Sequence, residues 1–329
     1  ANGAGFGVIQ TDPATTLTRT NVTMGTSAAT TIDIDLGSAA GNPTVAPLTV
    51  GSINLAGTVT VNIADALPAV STSVPIISYT SKSGPGSFAL GTLPLGVVAT
   101  LTDNNAGLVF LNVTSVKLPR WTGATDGNWD TTTSNWIDLV TNSATTYADP
   151  APVLFDDNAT GTTDVLLNTT VSPGKVTFAN TANAVEPAPL GKNYTLTGSG
   201  KISGTGSLIK QGGGNLTTGT ANDYTGSTTF AGGTTSINSI ANAGTASAIG
   251  AASVDPANLV LNATTLTYAG GAATTNRGFT IAGTGTVLNS NSDITFSGAV
   301  ATTAGNLTKT GSGNLTLSGT GANVIGTVH

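Results

Sequence analysis

A ten-residue block that occurs twice constrains the fold of this chain more than any other feature of its sequence. The first copy runs over 208–217 and the second over 307–316. Each copy alternates apolar and polar residues and then turns on paired glycines. Because such a strand cannot bury its apolar face alone, copies of the unit normally stack on one another. The residues that recur in register are Leu208, Lys210, Gly212, Gly214 and Leu216 in the first copy, and Leu307, Lys309, Gly311, Gly313 and Leu315 in the second.

The composition predicts a folded, all-β chain. Charged residues make up 8% of the sequence, against about 25% in an ordinary globular domain, but the hydrophobic fraction of 39% is enough to build a core. Thr and Gly are abundant and have poor helix propensity, and Glu186 is the only glutamate. Segments such as Val59–Ile63 alternate apolar and polar residues with the period of two that β-strands require.

The chain divides near residue 118 into two predicted modules, 1–118 and 119–329. Lys117 and Arg120 enclose a proline just before the composition changes, and the segment that follows holds all three tryptophans. Aromatic residues make up 5% of the chain, so the core is expected to be thin. This inventory fits a stack of short rungs lined by Val, Ile, Leu and Thr. A β-sandwich is the alternative for the smaller N-terminal module.

The first copy of the block continues into a longer pattern of alternate Asn, Tyr, Gly and Thr residues. In this stretch the chain resembles the autotransporter-associated β-strand repeat, also called the passenger-associated transport repeat, of large secreted Gram-negative proteins. Repeat copies are predicted near 198–235 and 297–328. The matching positions beyond the shared block are Asn222, Tyr224, Gly226 and Thr228 in the first copy, and Leu317 and Gly319 in the second.

The resemblance implies a right-handed parallel β-helix, or β-solenoid, in an extracellular or cell-surface protein of a Gram-negative bacterium. It also implies a role as a stalk, a spacer or an adhesive surface, and it brings no catalytic residues to transfer. A stack of rungs exposes unpaired strand edges at its ends, and natural solenoids cover those edges with caps. The sequence shows no capping helix, so end-to-end stacking of identical chains into a filament is expected. The glycine-rich start, residues 1–9, is a candidate for adding a strand to a neighbouring copy.

Charge and composition exclude several classes of partner. The formal net charge is −6, and the ten basic residues are scattered singly, so no nucleic-acid partner is expected. No run of about 18 apolar residues occurs, so the sequence predicts no membrane insertion. Cysteine is absent, and the bias toward Thr, Asn and Gly suits an extracellular bacterial protein.

Catalytic chemistry finds little support in the sequence. His329 is the only histidine and the last residue, so a Ser-His-Asp arrangement lacks its base and zinc lacks its usual ligands. Carboxylate chemistry on a flat β-helix face is the one enzymatic option, and its candidates are the pairs Asp156 with Asp157 and Asp33 with Asp35. Solvated surface carboxylates are the favoured interpretation. The chain is therefore predicted not to be an enzyme and to need no cofactor.

Two clusters after the junction are candidate sites. Asp126, Asn128 and Asp130 place three oxygen ligands at alternate positions, as in the first half of a calcium loop. The glycine and the glutamate that complete such a loop are missing, and an Asx turn is the alternative. The tryptophans are candidates for glycan or assembly contacts, although a small local core that seals the end of the stack is the favoured interpretation; they are Trp121, Trp129 and Trp136.

The predicted function is that of a secreted structural protein, the subunit of an extracellular fibre, filament or matrix held together by stacked rungs or exchanged strands. An autotransporter-type passenger stalk or adhesin is the first alternative. A carbohydrate-binding or carbohydrate-active β-helix is the second. Exposed complementary ends would favour the structural subunit, whereas exposed tryptophans beside a groove of aspartates would favour the carbohydrate-active protein.

Overall fold

The computed structural model describes residues 5–10, 12–25, 30–36, 42–64, 70–94, 96–181, 191–303 and 305–319. Over these residues the regular structure is β-strand, apart from a short 3-10 turn at Pro256–Asn258. The chain forms two compact units, Ala1–Lys117 (unit 1) and Leu118–His329 (unit 2). Each unit contains its own cluster of buried hydrophobic residues. The prediction of an all-β chain is therefore confirmed.

Unit 1 contains a four-stranded and a five-stranded sheet among its described residues. The four-stranded sheet has the order β1-β3-β5-β7 and is parallel. The five-stranded sheet has the order β2-β4-β6-β9-β8; its first three strands are parallel, and β9 and β8 are antiparallel. The strands are β1 (Gly5–Ile9), β2 (Leu17–Met24), β3 (Thr30–Asp35), β4 (Leu48–Leu55), β5 (Val59–Ala64), β6 (Ser71–Ser83), β7 (Phe88–Leu90), β8 (Val97–Asp103) and β9 (Leu108–Val116).

The parallel pairs of unit 1 join each strand to the next strand but one along the chain, whereas β8 and β9 form an antiparallel hairpin. Leu17 of β2 lies opposite Leu48 of β4, which lies opposite Ile77 of β6. Leu48 and Ile77 are buried, because period-two alternation sends the apolar side chains of each strand to one side. The β-sandwich alternative for this module is wrong, since such sandwiches are antiparallel and β1 to β7 pair in parallel.

Unit 2 contains a ten-stranded, a seven-stranded, a three-stranded and a two-stranded sheet among its described residues. From β13 onward all of the strand pairs are parallel. The strands are β10 (Pro119–Trp121), β11 (Trp136–Asp138), β12 (Ser143–Thr145), β13 (Val153–Asp156), β14 (Asp164–Leu166), β15 (Thr170–Val171), β16 (Lys175–Ala179), β17 (Tyr194–Thr197), β18 (Lys201–Ile202), β19 (Ser207–Gln211), β20 (Asn215–Thr218), β21 (Thr228–Ala231), β22 (Thr234–Ile237), β23 (Leu259–Asn262), β24 (Thr265–Tyr268), β25 (Ala273–Thr275), β26 (Phe279–Ile281), β27 (Thr286–Ser290), β28 (Ile294–Phe296), β29 (Val300–Thr302), β30 (Leu307–Thr310) and β31 (Leu315–Leu317).

The chain visits the sheets of unit 2 in turn. β13 belongs to the ten-stranded sheet, β14 to the seven-stranded sheet and β15 to the two-stranded sheet, and β16, β17 and β18 repeat that order. We call each such set of consecutive strands a layer. The first layer of unit 1 is β1 and β2, and the last layer of unit 2 is β29, β30 and β31. Leu208 lies opposite Val176 of the layer before it and Thr228 of the layer after it, so equivalent side chains stack in columns.

The corners between strands require glycine at particular positions. Gly212 follows β19 with a φ of +82°, in the left-handed region that side chains disfavour. A Cβ on Gly226 would lie 2.3 Å from the carbonyl oxygen of Gly206 in the preceding layer. The two backbones therefore approach more closely there than any side chain allows. The glycines of the repeat mark these corners.

Candidate functional site

The lysine of the repeated block closes the turn that follows its own strand. Lys210 occupies an inward-facing column between Phe178 and Phe230 and is fully buried. Its Nζ donates hydrogen bonds to the carbonyl oxygens of Gln211 (3.1 Å) and Gly212 (2.9 Å). The aliphatic part of the Lys210 side chain thus packs in the core, while its ammonium group donates hydrogen bonds to the carbonyl oxygens at the corner.

Lys309 makes the equivalent contacts in the second copy. Its Nζ donates to the carbonyl oxygen of Gly311 (3.4 Å), two residues further on, and to that of Ser290 in the preceding layer (2.9 Å). The φ of Gly311 is +80°, against +82° for Gly212. Each copy of the block is therefore a strand and a turn held together by the block's own lysine. The part of the second repeat beyond residue 319, with His329, lies outside the described residues.

The two copies of the block lie on different sheets. The first copy forms β19 of the ten-stranded sheet and β20 of the seven-stranded sheet. The second copy forms β30 of the seven-stranded sheet and β31 of the three-stranded sheet. Both corners need the same alternation, the same lysine and the same glycine. The block therefore encodes a corner between two strands, and its sequence is not tied to one sheet.

The remaining residues of the first repeat hold neighbouring layers together. The Oδ1 of Asn222 accepts a hydrogen bond from the backbone N–H of Ile202 in the preceding layer (2.9 Å). The hydroxyl of Tyr224 lies 2.7 Å from that of Thr228, and both side chains are buried. The layer of β19 and β20 has no third strand to pair with β18. The side-chain amide of Asn222 therefore accepts the N–H that such a strand would otherwise bind. These contacts are structural.

Burial lowers the pKa of Lys210 to about 8. In the unfolded chain the amine keeps its ordinary value of about 10.4, so between pH 8 and pH 10 the unfolded state binds more protons than the folded state. We therefore expect the free energy of unfolding to rise by about 2 kcal/mol over this interval. Above pH 10 the trend should reverse, because burial raises the pKa values of Tyr194 and Tyr224.

Urea denaturation at a series of pH values measures this dependence. Lys210→Met keeps the apolar stem and removes the amine, so its stability should change little between pH 8 and pH 10. Lys117→Met, at an exposed position, is the matched control and should keep the wild-type profile. A rise that persists in Lys210→Met would show that another group titrates.

The three tryptophans form an aromatic cluster at the start of unit 2. The ring centroids of Trp121 and Trp136 are 5.0 Å apart, those of Trp129 and Phe155 are 5.3 Å apart, and most of these rings meet edge to face. The indole N–H of Trp121 donates to the carbonyl oxygen of Thr162 (2.8 Å). Such contacts add to the area buried by the rings.

The prediction of glycan or assembly contacts through these tryptophans is wrong for the described structure. Trp121 and Trp129 are 0% exposed and Trp136 is 1% exposed. A sugar stacks on an exposed ring face, and none of the three offers one. The rings are buried because strand β10 and the antiparallel strands β11 and β12 fold over Phe155 and cover the end of the core.

The candidate calcium ligands close turns in the structure. The Oδ1 of Asp126 accepts from the backbone N–H of Asn128 (2.8 Å) and from the Nδ2 of Asn135 (2.7 Å), and the first of these bonds is the main reason that its pKa is lowered. The Oδ1 of Asp130 accepts from the backbone N–H of Thr132 (2.8 Å). These are the contacts of Asx turns. Calcium binding at this loop stays a prediction.

The candidate carboxylate pairs also bind neighbouring segments. Asp157 accepts from the backbone N–H of Lys192 (2.8 Å), and Asp156 from that of Asn158 (2.9 Å). In unit 1, Asp33 accepts from the Nδ2 of Asn62 (2.7 Å) in the next layer. Over the residues that the structure describes, no group of three or more His, Cys, Asp or Glu side chains is placed to hold a metal ion.

The first layer of unit 1 and the last layer of unit 2 are the outermost described layers of their sheets. β1 and β2 begin the two sheets of unit 1, and β29, β30 and β31 each end a sheet of unit 2. By contrast, the five-stranded sheet ends in the antiparallel pair β9 and β8, and the ten-stranded sheet begins with the antiparallel strands β12 and β11. The outermost parallel strands of a stack are the surfaces at which a further strand can be added. They are the candidate functional site.

One buried cation was not predicted from the sequence. Arg277 is buried, and its guanidinium donates to the carbonyl oxygens of Ala241 (3.1 Å), Ile249 (3.3 Å) and Gly250 (2.6 Å). These acceptors belong to the segment 238–252, which leaves the sheets after β22. The presence of an arginine in a chain with so few charges was the only sequence signal for a buried cation. Its acceptors are backbone carbonyl oxygens, which the sequence does not identify.

Comparisons with known proteins gave no relative. No protein-family model, no curated protein and no solved structure matches the chain. Within its described part, the structure contains no helix with the length and hydropathy needed to cross a membrane.

Proposed function

We propose that this chain is a β-solenoid structural protein, the subunit of an extracellular filament or matrix that assembles with copies of itself. The observation that carries the proposal is the parallel stacking of layers, because strands of each unit pair in parallel with strands of the layers before and after them. A further layer can be added to such a stack by the same pairing. When two identical chains meet through different surfaces, the contact is heterologous and propagates instead of closing on a dimer.

The stacking inside each unit supports the solenoid and a structural role. Consecutive strands of the chain join the sheets in a repeating order. Side-chain amides also accept backbone N–H groups of the next layer: Asn62 accepts that of Thr92 (2.9 Å), and Asn193 accepts that of Asn215 (2.9 Å). Asp157 of the candidate pairs is used in the same way, since it accepts the backbone N–H of Lys192 (2.8 Å). The resemblance to passenger-associated repeats adds the extracellular, Gram-negative setting, and a glycan partner would need a surface other than the tryptophans.

Electron microscopy of the purified chain over a range of concentrations tests the proposal. We expect unbranched filaments with a regular axial repeat above a critical concentration, and a sedimenting fraction that grows with concentration. Calcium and EDTA arms test the loop at Asp126 and Asp130 in the same experiment; equal assembly in both would contradict a calcium-dependent interface. Monomers at every concentration would overturn the filament proposal and favour a passenger stalk.

A further inference from the structure

The outer face of the seven-stranded sheet carries an array of hydroxyl groups. From β17 to β30, alternate residues of each strand point away from the core, and the strands pair in parallel without a register shift. The outward residues therefore lie in two columns that run from layer to layer. One column contains Thr195, Thr217, Ser236, Thr267, Asn289 and Thr310, and the other contains Asn215, Thr234, Thr265, Val287 and Thr308.

The hydroxyls of this array are free to bind something outside the chain. All residues of the two columns are exposed or half-buried, and all but Asn215, Val287 and Asn289 carry a hydroxyl. None of the residues is charged. Within the described part of the chain, none of these side chains forms a hydrogen bond or an ion pair. The hydroxyls therefore hold no layers together, unlike the buried hydroxyls of Tyr224 and Thr228.

The ten-stranded sheet presents a different outer face, although the same chain builds it. Its central outward column begins with Arg120 and Leu154 and continues through Ile209, Thr229 and Val260. Large apolar side chains thus alternate with threonines there, and a cation lies at one end. The uncharged hydroxyl array therefore belongs to one face and does not follow from the threonine content of the chain alone.

The spacing of the array is that of a crystal surface. Outward residues of neighbouring strands lie about 4.8 Å apart, and outward residues of one strand lie about 6.6 Å apart. Both repeats are close to the spacings between oxygen atoms on a prism face of hexagonal ice. Threonine is β-branched and stiff at χ1, so its hydroxyl and methyl groups keep few orientations. Each layer therefore offers the same contact at a fixed interval.

The chemistry of the array favours ordered water over other ligands. A small molecule is usually bound in a concave pocket, whereas a sheet face offers one shallow contact many times. Charged side chains hold hydration shells of their own, which compete with a water lattice, and this face has none. Hydroxyls both donate and accept hydrogen bonds, as the water molecules of ice do. A face of this kind suits a repeating, uncharged surface of donors and acceptors.

We propose that the outer face of the seven-stranded sheet binds ice, with its two columns of hydroxyls seated on the oxygen rows of a prism face. The site consists of side chains on β17, β20, β22, β24, β27 and β30. The inference goes beyond the proposed structural role and does not depend on self-assembly, because each single chain carries the whole array.

Partition into slowly growing ice tests the site. A dilute solution of the chain, below the concentration at which it sediments, is frozen onto a cold probe, and the protein content of the ice is compared with that of the liquid. We expect the wild-type chain to be enriched in the ice. Thr267→Tyr puts a ring above the centre of the array and should lose this enrichment, because the face can no longer meet a flat surface.

Thr229→Tyr is the matched control on the outer face of the ten-stranded sheet. Thr229 and Thr267 are both half-buried outward residues of four-residue strands, and tyrosine is a favourable strand residue at either position. Thr229→Tyr should keep the wild-type enrichment in ice. Thr217→Tyr, at an exposed position of the same column, replaces Thr267→Tyr if circular dichroism shows that the latter is unfolded.

The outcomes separate this inference from the proposed function. Exclusion of the wild-type chain from ice would overturn the inference and leave the filament proposal untouched. Equal enrichment of Thr267→Tyr and Thr229→Tyr would show that ice is bound elsewhere and overturn the site. Sedimentation with microcrystalline cellulose tests the other crystalline partner. Binding there that Thr267→Tyr abolishes, without enrichment in ice, would reject ice in favour of a polysaccharide surface.

Discussion

Replacing Trp129 with alanine is expected to destabilise unit 2 by about 3–5 kcal/mol, the usual cost of removing a large buried aromatic side chain. Trp129 is 0% exposed and contacts Trp136, Tyr147 and Phe155 at centroid distances of 5.3–5.7 Å. The cavity would lie where β10, β11 and β12 cover the end of the core. Since all three tryptophans lie in this cluster, their fluorescence during urea denaturation reports directly on the unfolding of unit 2.

Val140→Ala is the matched control for this prediction. Val140 belongs to the same region but is 47% exposed, so its truncation should change the urea midpoint little. Trp129→Phe should fall between the two, because a smaller ring keeps part of the edge-to-face contact. If Trp129→Ala were as stable as Val140→Ala, the cluster would not be the seal that closes this end of the core.

The local rules of the sequence predicted the strands and corners of unit 2, and the packing of the tryptophans, because each depends on near neighbours. Alternation placed Leu208 and Leu216 inward, and the paired glycines of the block placed a turn at Gly212. Trp121, Trp129 and Trp136 are close along the chain, and their burial in one core was the favoured interpretation. The pairing of strands that lie one whole layer apart along the chain could be expected only from the resemblance to the repeat family.

The sequence did not predict which sheet each repeat copy occupies or where the buried cations find their partners. The block over 307–316 resembles the block over 208–217, yet it forms strands of the seven-stranded and three-stranded sheets instead of the ten-stranded and seven-stranded sheets. Lys210 and Arg277 bind backbone carbonyl oxygens, which every residue possesses. No residue type therefore marks the acceptor positions.

Arg277→Met is expected to lower the stability of unit 2 by about 3 kcal/mol. The substitution removes three hydrogen bonds from a charged donor, each worth about 1.5–3 kcal/mol, and relief from burying the guanidinium offsets part of that loss. Each carbonyl oxygen keeps one hydroxyl donor, from Thr275, Thr228 or Ser247, which limits the cost further. Burial lowers the pKa of Arg277, but the group stays charged and its donors stay in place at neutral pH. The acceptors lie at Ala241, Ile249 and Gly250, so the loss should be concentrated in 238–252.

Amide hydrogen exchange distinguishes this local role from general packing. In Arg277→Met the amides of 238–252 should exchange faster, while those of the aromatic cluster around Trp129 keep their protection. Arg277→Lys preserves the charge but offers one nitrogen to three separated carbonyls, so it should recover only part of the stability. Arg19→Met, at an exposed cation of unit 1, should leave 238–252 unchanged. If Arg277→Met proved more stable than wild type, the desolvation of the guanidinium would outweigh its three hydrogen bonds. The segment would then be held by its remaining contacts, such as that of the Ala251 N–H with the carbonyl oxygen of Tyr224 (2.8 Å) and that of the Thr275 hydroxyl with the carbonyl oxygen of Ala241 (2.8 Å).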